Sequence, residues 1–298
     1  MKKIVFYMEP TWAYGSIHYE LCKYLWGYGF NCQLLPWNQS YTLPEMQELI
    51  DTTDLIVTTP HGWRLLGYNY KVFTPEQCVI ISHSKLDMDE LIHYHGKGDF
   101  DKFHKYGAVS NWLADVSLQL GITRPAFVTP LGINTNTYYS KPNDSLQTVG
   151  CMNIGQVGVH QQIKRPWLLE SAIQQAGLTL KAAAPYHHSF ITMPGFYKSV
   201  DAILVASTEE GAGLPVLEAG AAGKLVISTP VGHWNRIGDK GACAVPIPES
   251  EFIEKTVEIL SYYKSNPEQY RQRCLEIQHH AQSYDWKYVI DKWVEILS

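Results

Sequence analysis

The sequence predicts an α/β protein made of two doubly wound, Rossmann-like domains. Short apolar runs of strand length alternate with longer stretches of helical spacing. The alternation begins again after about residue 145. At roughly 150 residues per domain, 298 residues are enough for two domains.

In the first half, Ile4–Met8, Asp54–Thr58, Val79–Ser82 and Phe127–Pro130 are short runs rich in apolar residues and bounded by turn signals, the pattern of buried strands. Gly15–Tyr28, Leu43–Asp51, Asp87–Tyr94 and Asn111–Leu120 lie between them with helical spacing. In the second half the strand-like runs are Thr148–Met152, Thr179–Ala183, Asp201–Ala206, Leu225–Ser228 and Cys243–Val245. The helix-like runs are Pro166–Ala176, Pro215–Ala222 and Ser250–Tyr263. Tyr138–Ser145 is polar and holds a proline, as a linker does. In the last stretch, Trp286, Val289, Ile290, Trp293 and Ile296–Leu297 fall on one helical face.

Bulk composition narrows the classes of function. Hydrophobic residues make up 45% and charged residues 18%, the balance of a packed globular chain. A formal net charge of -5 weighs against binding dominated by neutralising nucleic-acid phosphates. The six cysteines are scattered and form no C-x-x-C pair, which reads as reduced thiols rather than a zinc or disulfide framework. The apolar run in MKKIVFYMEP is too short for a signal peptide and reads as a first strand. No 18-residue apolar run is present. The expected location is cytoplasmic, with peripheral membrane contact left open.

In doubly wound sheets ligands bind beyond the carboxyl ends of the strands, so the loops there are where chemistry is expected. One such loop stands out in STEEGAGLPVLEAGAAGK, Ser207–Lys224. A strand ends in Ser207, and Glu209-Glu210-Gly211-Ala212-Gly213 then leads into a helix with Pro215 in its first turn and Gly223 past its end. Free amides at the helix start, with the positive end of its dipole, form an anion site. Gly211 and Gly213 let backbone approach a ligand closely. Glu210 and Glu218 flank this site. Carboxylates repel phosphate but accept hydrogen bonds from sugar hydroxyls, so the pattern suits a nucleotide-sugar. Taken singly, either glutamate is also explained by the dipole, which favours acidic residues there by about 0.3–1 kcal/mol.

The composite resembles the E-x7-E signature of the retaining glycosyltransferases of family 4, which have the GT-B fold. The likeness extends to YKSVDAILVAS (Tyr197–Ser207) and GKLVISTPV (Gly223–Val231), and more loosely to AVSNWL (Ala108–Leu113), PLGIN (Pro130–Asn134) and DWKYVIDKWVEIL (Asp285–Leu297). It implies two Rossmann-like domains facing across a cleft, 1–140 on the acceptor side and 141–283 for the nucleotide-sugar. A closing helix, 284–298, would cross back to the first domain. The expected reaction moves a sugar from a UDP- or GDP-sugar to a hydroxyl of a saccharide, lipid or other acceptor. Front-face attack would retain the configuration, with no cofactor and no metal.

The resemblance assigns residues as follows. Glu210 would contact hydroxyls of the transferred sugar, with Glu209 as its competitor, and Glu218 would hold the ribose. Gly211, Ala212, Gly213 and Leu214 would offer backbone amides. His83, after the strand CVIIS, would stand near the reacting carbon, with His61 as runner-up. Lys164 and Arg165 would stabilise the departing diphosphate. Where the family has Gly-Arg at a strand end, this chain has Gly150-Cys151 or Gly155-Gln156, which leaves that charge to Lys164 and Arg165. Gly15, in EPTWAYGS, takes the place of the family's N-terminal glycine loop; a donor contact, an acceptor contact and a plain turn all fit it. The histidines of His93–Tyr106 match no standard metal spacing and read as an acceptor-facing loop. His187-His188 read as a loop with a base or sugar contact.

Three alternatives stay open at this stage. One is a non-catalytic nucleotide-sugar binder on the same fold. Another is a glycosyltransferase acting on modified DNA, for which Lys97, Lys102 and Lys105 supply some charge. The third, a dinucleotide-binding dehydrogenase, is disfavoured because PTWAYGS follows the first strand in place of G-x-G-x-x-G.

Overall fold

The computed structural model describes residues 1–10, 12–70, 74–152, 159–183 and 191–298. It divides into two compact units, Met1–Gly132 with Trp286–Ser298, and Ile133–Asp285.

The first unit alternates strand and helix: β1 (Lys2–Met8), α1 (Trp12–Trp26), β2 (Phe30–Pro36), α2 (Leu43–Asp51), β3 (Leu55–Thr58), α3 (Pro60–Asn69), β4 (Cys78–Ser82), α4 (Lys85–His95), β5 (Lys105–Ala108), α5 (Asn111–Gln119) and β6 (Phe127–Val128). The strands form one parallel sheet in the order β2-β1-β3-β4-β5-β6. The order reverses between β1 and β3, so the topological switch point lies there. Ile4–Met8 and all of β3 and β4 are buried, which is why these strands read as unbroken apolar runs. Local chemistry fixes the helix starts. Thr42 and Glu45 close a reciprocal capping box on α2, and Thr59, Ser84 and Ser110 cap α3, α4 and α5.

The second unit opens with a short helix, α6 (Thr135–Tyr138). It continues through β7 (Thr148–Met152), α7 (Val159–Lys164), α8 (Pro166–Gln175), β8 (Thr179–Ala183), α9 (Met193–Lys198), β9 (Ala202–Val205), α10 (Leu214–Ala221), β10 (Leu225–Ser228), α11 (Trp234–Gly241), β11 (Cys243–Ala244), α12 (Glu249–Ser265) and α13 (Pro267–Ala281). Its strands are parallel in the order β11-β10-β9-β7-β8, with the switch point between β7 and β9. Buried Asp201 ties the starts of β7 and β9 together, accepting the amides of Gln147 and Thr148 at 2.8 and 2.7 Å. The stretch Tyr138–Ser145 begins inside this unit's packing: Tyr138 is buried and Ser140 donates to the Ala222 carbonyl at 2.6 Å.

The chain ends in α14 (Trp286–Leu297), which belongs to the first unit. Its apolar face, Trp286, Val289, Ile290, Trp293, Ile296 and Leu297, is buried. Each such side chain, fully buried, contributes about 1.5–3 kcal/mol. Gly107 on β5 admits the helix, because a Cβ there would lie 2.7 Å from the Ile296 Cδ1. The Trp293 indole donates to the Pro130 carbonyl at 3.0 Å, which satisfies its one polar atom. Among the described residues no helix is long and apolar enough to cross a membrane.

Candidate functional site

Both strands that flank the second unit's switch point lead to charged side chains that meet. β9 runs through Ala206 and Ser207 into the loop that carries Glu210. The chain leaving β7 enters α7, which ends in Lys164. Lys164 Nζ donates to Glu210 Oε1 in an ion pair, and Ser207 Oγ donates to the same oxygen at 2.7 Å. The pair keeps some contact with solvent, 22% of the Lys164 side chain and 14% of that of Glu210. Backbone bonds brace the corner: the Thr208 amide donates to the Ile163 carbonyl at 2.9 Å, and Thr229 Oγ1 donates to the Ser207 carbonyl at 2.6 Å.

Gly213 caps α10 with φ +75°, a conformation that glycine adopts without strain. Gly213 is buried, yet a Cβ built on it would meet nothing within 4 Å among the described residues, which leaves a gap beside the helix start. At this helix start Pro215 has no N–H and the Val216 amide donates to the Gly213 carbonyl at 3.0 Å, so the Gly213 and Leu214 amides are the ones that lie near Glu210 in the chain. The loop is pressed from behind by Gly232, whose Cβ would fall 2.7 Å from the Ala212 carbonyl carbon and oxygen. His233 follows; its amide donates to the Ala212 carbonyl at 3.1 Å, and its ring is buried. Burial, aided by Arg236, pushes His233 down to about 3, so it is a neutral imidazole. Its Nε2 has no hydrogen-bond partner among the described residues. Sequence reasoning passed over His233; the available signal was its place just beyond a buried strand, in STPVGHW.

The other predicted residues of this unit are placed differently. Arg165 follows Lys164 but turns away from it, with φ 48° and 4% exposure. Its Nε donates to the Ala206 carbonyl at 2.6 Å, one Nη donates to the Ile247 carbonyl, and the guanidinium lies 5.5 Å from the centre of the Phe252 ring. Burial lowers its pKa. Arg165 therefore clamps the end of β9 to the loop before α12, and does not extend a second free cation beside Lys164. Glu218 sits on α10 with 8% exposure, and its two carboxylate oxygens accept from the Tyr138 and Tyr197 hydroxyls at 2.7 Å each. Burial raises its pKa, and the two tyrosine bonds oppose that rise. A ribose diol would have to share these oxygens with the tyrosines. Gly155-Gln156 and His187-His188 lie outside the described residues.

In the first unit, His83 stands just past the end of β4, 9% exposed, with Nε2 unpartnered among the described residues. Its ring lies 4.8 Å from that of Tyr14 and 6.2 Å from that of His18. Burial and the neighbouring His18 push His83 well below the usual histidine range. His18 is fully buried and pushed down to about 4 by burial. Its Nδ1 lies 2.6 Å from the Tyr14 carbonyl, so that nitrogen carries the proton. His61, in the first turn of α3, pairs through Nδ1 with Glu90 at 2.9 Å. Gly15 is in α1 and not in a loop, and it is buried.

In the Asp-x-Asp spacings Asp87–Asp89 and Asp99–Asp101, Asp89 faces Lys85 at 3.3 Å, Asp99 pairs with Lys102 and Asp101 accepts from Thr123 Oγ1 at 3.3 Å, while Asp87 Oδ2 is buried with no hydrogen-bond partner among the described residues. Among the described residues no group of three or more His, Cys, Asp or Glu is placed to hold a metal.

Comparison with known proteins gives the fold a family context. Residues 161–262 match the family described as glycosyl transferases group 1. No curated protein matches the chain. Among solved structures, sucrose-phosphate synthase from Thermosynechococcus elongatus is similar with a TM-score of 0.70 and 13% identity, over 100% of this chain and 98% of that one. HepE from Anabaena, solved in complex with UDP and glucose, gives 0.68 and 14%, over 100% and 99%. A glycosyltransferase from Rickettsia africae gives 0.67 and 14%, over 99% and 97%. The architecture is thus that of the GT-B fold, and residues 161–262 are similar to group 1 glycosyl transferases.

Proposed function

We propose that the second unit binds a nucleoside-diphosphate sugar at the β9–α10 corner and that the protein transfers the sugar to a hydroxyl acceptor with retained configuration. The observation that carries this reading is the Lys164–Glu210 pair at the switch point, next to the gap beside Gly213. The pair holds a cation and an acceptor of hydrogen bonds ready at one point. An arriving diphosphate competes for Lys164, and the α10 amides take the remaining phosphate charge. Glu210, released from Lys164, then accepts hydrogen bonds from the sugar hydroxyls. The UDP found in HepE, a protein of the same fold, agrees with such a donor.

The reaction balances without a protein nucleophile. The acceptor oxygen attacks the anomeric carbon on the face the diphosphate leaves, the bond from that carbon to the phosphate oxygen breaks, and that oxygen takes the acceptor's proton. Lys164 and the helix start stabilise the departing charge, so the proposal calls for no metal. His83 stays assigned to the reacting sugar by resemblance, as a neutral imidazole able to exchange hydrogen bonds with a hydroxyl. Glu218 acts through Tyr138 and Tyr197, holding α6 and α9 against α10.

The test is turnover with a panel of UDP- and GDP-sugars and saccharide acceptors, read by nucleotide release and by NMR of the product's anomeric proton. One donor should be consumed, the product should keep the donor's configuration, and Glu210→Ala should lower kcat/KM by at least about a hundredfold. Full turnover in Glu210→Ala, or an inverted product, contradicts the reading. Nucleotide binding with no donor consumed would make the protein a binder on a transferase fold.

A further inference from the structure

All six cysteines are free thiols, and two of them meet in the first unit. Cys22 lies on α1 and Cys32 on β2, and only the turn Gly27–Gly29 separates the two elements. Gly29 takes φ +86° there, which folds the helix end back over the strand. The Cys22 thiol donates a hydrogen bond to the Cys32 sulfur. Both residues keep partial contact with solvent. β2 is an edge strand, bonded only to β1, and Cys32 stands opposite Ile4 in that pairing. Strand alternation puts Cys32 on the face of Phe30 and Leu34, while the exposed Asn31 and Gln33 take the other.

The contact divides the roles of the two sulfurs. The bond received from Cys22 lowers the Cys32 pKa, against the opposing effect of burial. The same bond, with burial, raises that of Cys22. Cys32 is therefore the better nucleophile, and a second thiol is already held against it, the arrangement that favours reversible oxidation. The other four cysteines differ. Cys78, Cys151 and Cys274 are buried, and burial pushes all three thiols up. Cys243 is partly exposed, but the side chains it hydrogen-bonds are Tyr263 and Arg273.

We propose that Cys22 and Cys32 are a site of reversible oxidation, where a hydroperoxide converts the pair to a disulfide that ties α1 to the edge strand β2. The Cys32 thiolate attacks one peroxide oxygen, and the O–O bond breaks. The leaving oxygen takes a proton and departs as water or an alcohol, and Cys32 becomes a sulfenic acid. The Cys22 sulfur then attacks the Cys32 sulfur, the S–O bond breaks, and water leaves with the thiol's proton. The two thiols supply the two electrons that reduce the peroxide. A thiol reductant reverses the bond by exchange. The site rests on the first unit alone and is independent of the transferase reading.

The experiment treats the full, folded chain with hydrogen peroxide, blocks the remaining thiols and maps the peptides by mass spectrometry without reduction. Lys23 lies between the two cysteines, so trypsin releases them on separate peptides that travel together only when the disulfide is present. Two of the six thiols should be lost, as a Cys22–Cys32 linked peptide, and dithiothreitol should restore both. Cys22→Ser should stop at a sulfenic acid on Cys32, which dimedone traps. Cys32→Ser should leave Cys22 at least about tenfold slower toward peroxide than Cys32 is in Cys22→Ser. Circular dichroism checks that both variants fold; if either does not, the peptide map of the wild type decides alone. No Cys22–Cys32 peptide, a dominant disulfide between other cysteines, failure of dithiothreitol to reverse the bond, or equal peroxide rates in the two folded variants overturns the proposal.

Discussion

Lys164 and Arg165 are adjacent cations with different surroundings. The left-handed backbone of Arg165 sends its guanidinium into the unit to hold two carbonyls, while Lys164 stays at the corner with Glu210. Arg165→Ala removes charge-assisted bonds to the Ala206 and Ile247 carbonyls, each worth about 1.5–3 kcal/mol. It should lower Tm by several degrees in differential scanning calorimetry, at about 2–4 °C per kcal/mol for a unit of this size, and leave nucleotide affinity nearly intact. A large loss of affinity with an unchanged Tm would return Arg165 to the ligand. The sequence shows both cations but not this division, which depends on one φ angle. Nor does it show that Glu218 is engaged by a tyrosine 80 positions upstream, Tyr138, because only tertiary packing brings that hydroxyl to it.

The loop and helix after β9 were legible because their chemistry is local. Pro215 falls in the first turn of α10, and Gly223 ends the helix with φ +67°. The Gly223 amide donates to the Gly220 carbonyl at 2.9 Å and the Lys224 amide to the Ala219 carbonyl at 3.0 Å, a Schellman pair. Gly223→Ala would place a Cβ 2.8 Å from the Ser140 carbonyl and pay the left-handed cost of about 1–2 kcal/mol, so Tm should fall by several degrees. An unchanged Tm would mean that the helix end can relax. β2 and β5 escaped the sequence reading for physical reasons. β2 is an edge strand with only Phe30 and Leu35 buried, so it lacks an apolar run. β5 is only four residues long and includes Gly107, where α14 packs too closely for a side chain. Gly15 opens the helical stretch read from the sequence, and α1 starts three residues earlier, at Trp12, so part of the segment read as a loop is helix.

At the scale of the molecule, each unit carries a cluster of charged, aromatic or imidazole groups at the switch point of its own parallel sheet. The fold class was legible because strand–helix alternation is a periodic signal repeated along the whole chain. The carboxyl edge of the first unit's sheet was not, since the segments that carry Trp37, Glu9, His61 and His83 come side by side only through the strand order β2-β1-β3-β4. The central claim is that a nucleoside diphosphate is held at the β9–α10 corner by Lys164 and the helix amides. Calorimetric titration of the full chain with UDP and with GDP, repeated on Lys164→Ala, tests it most directly. The account predicts that one nucleotide binds the wild type and that Lys164→Ala weakens it about tenfold or more at an unchanged Tm; no binding of either nucleotide, or equal affinity in the variant, would contradict it.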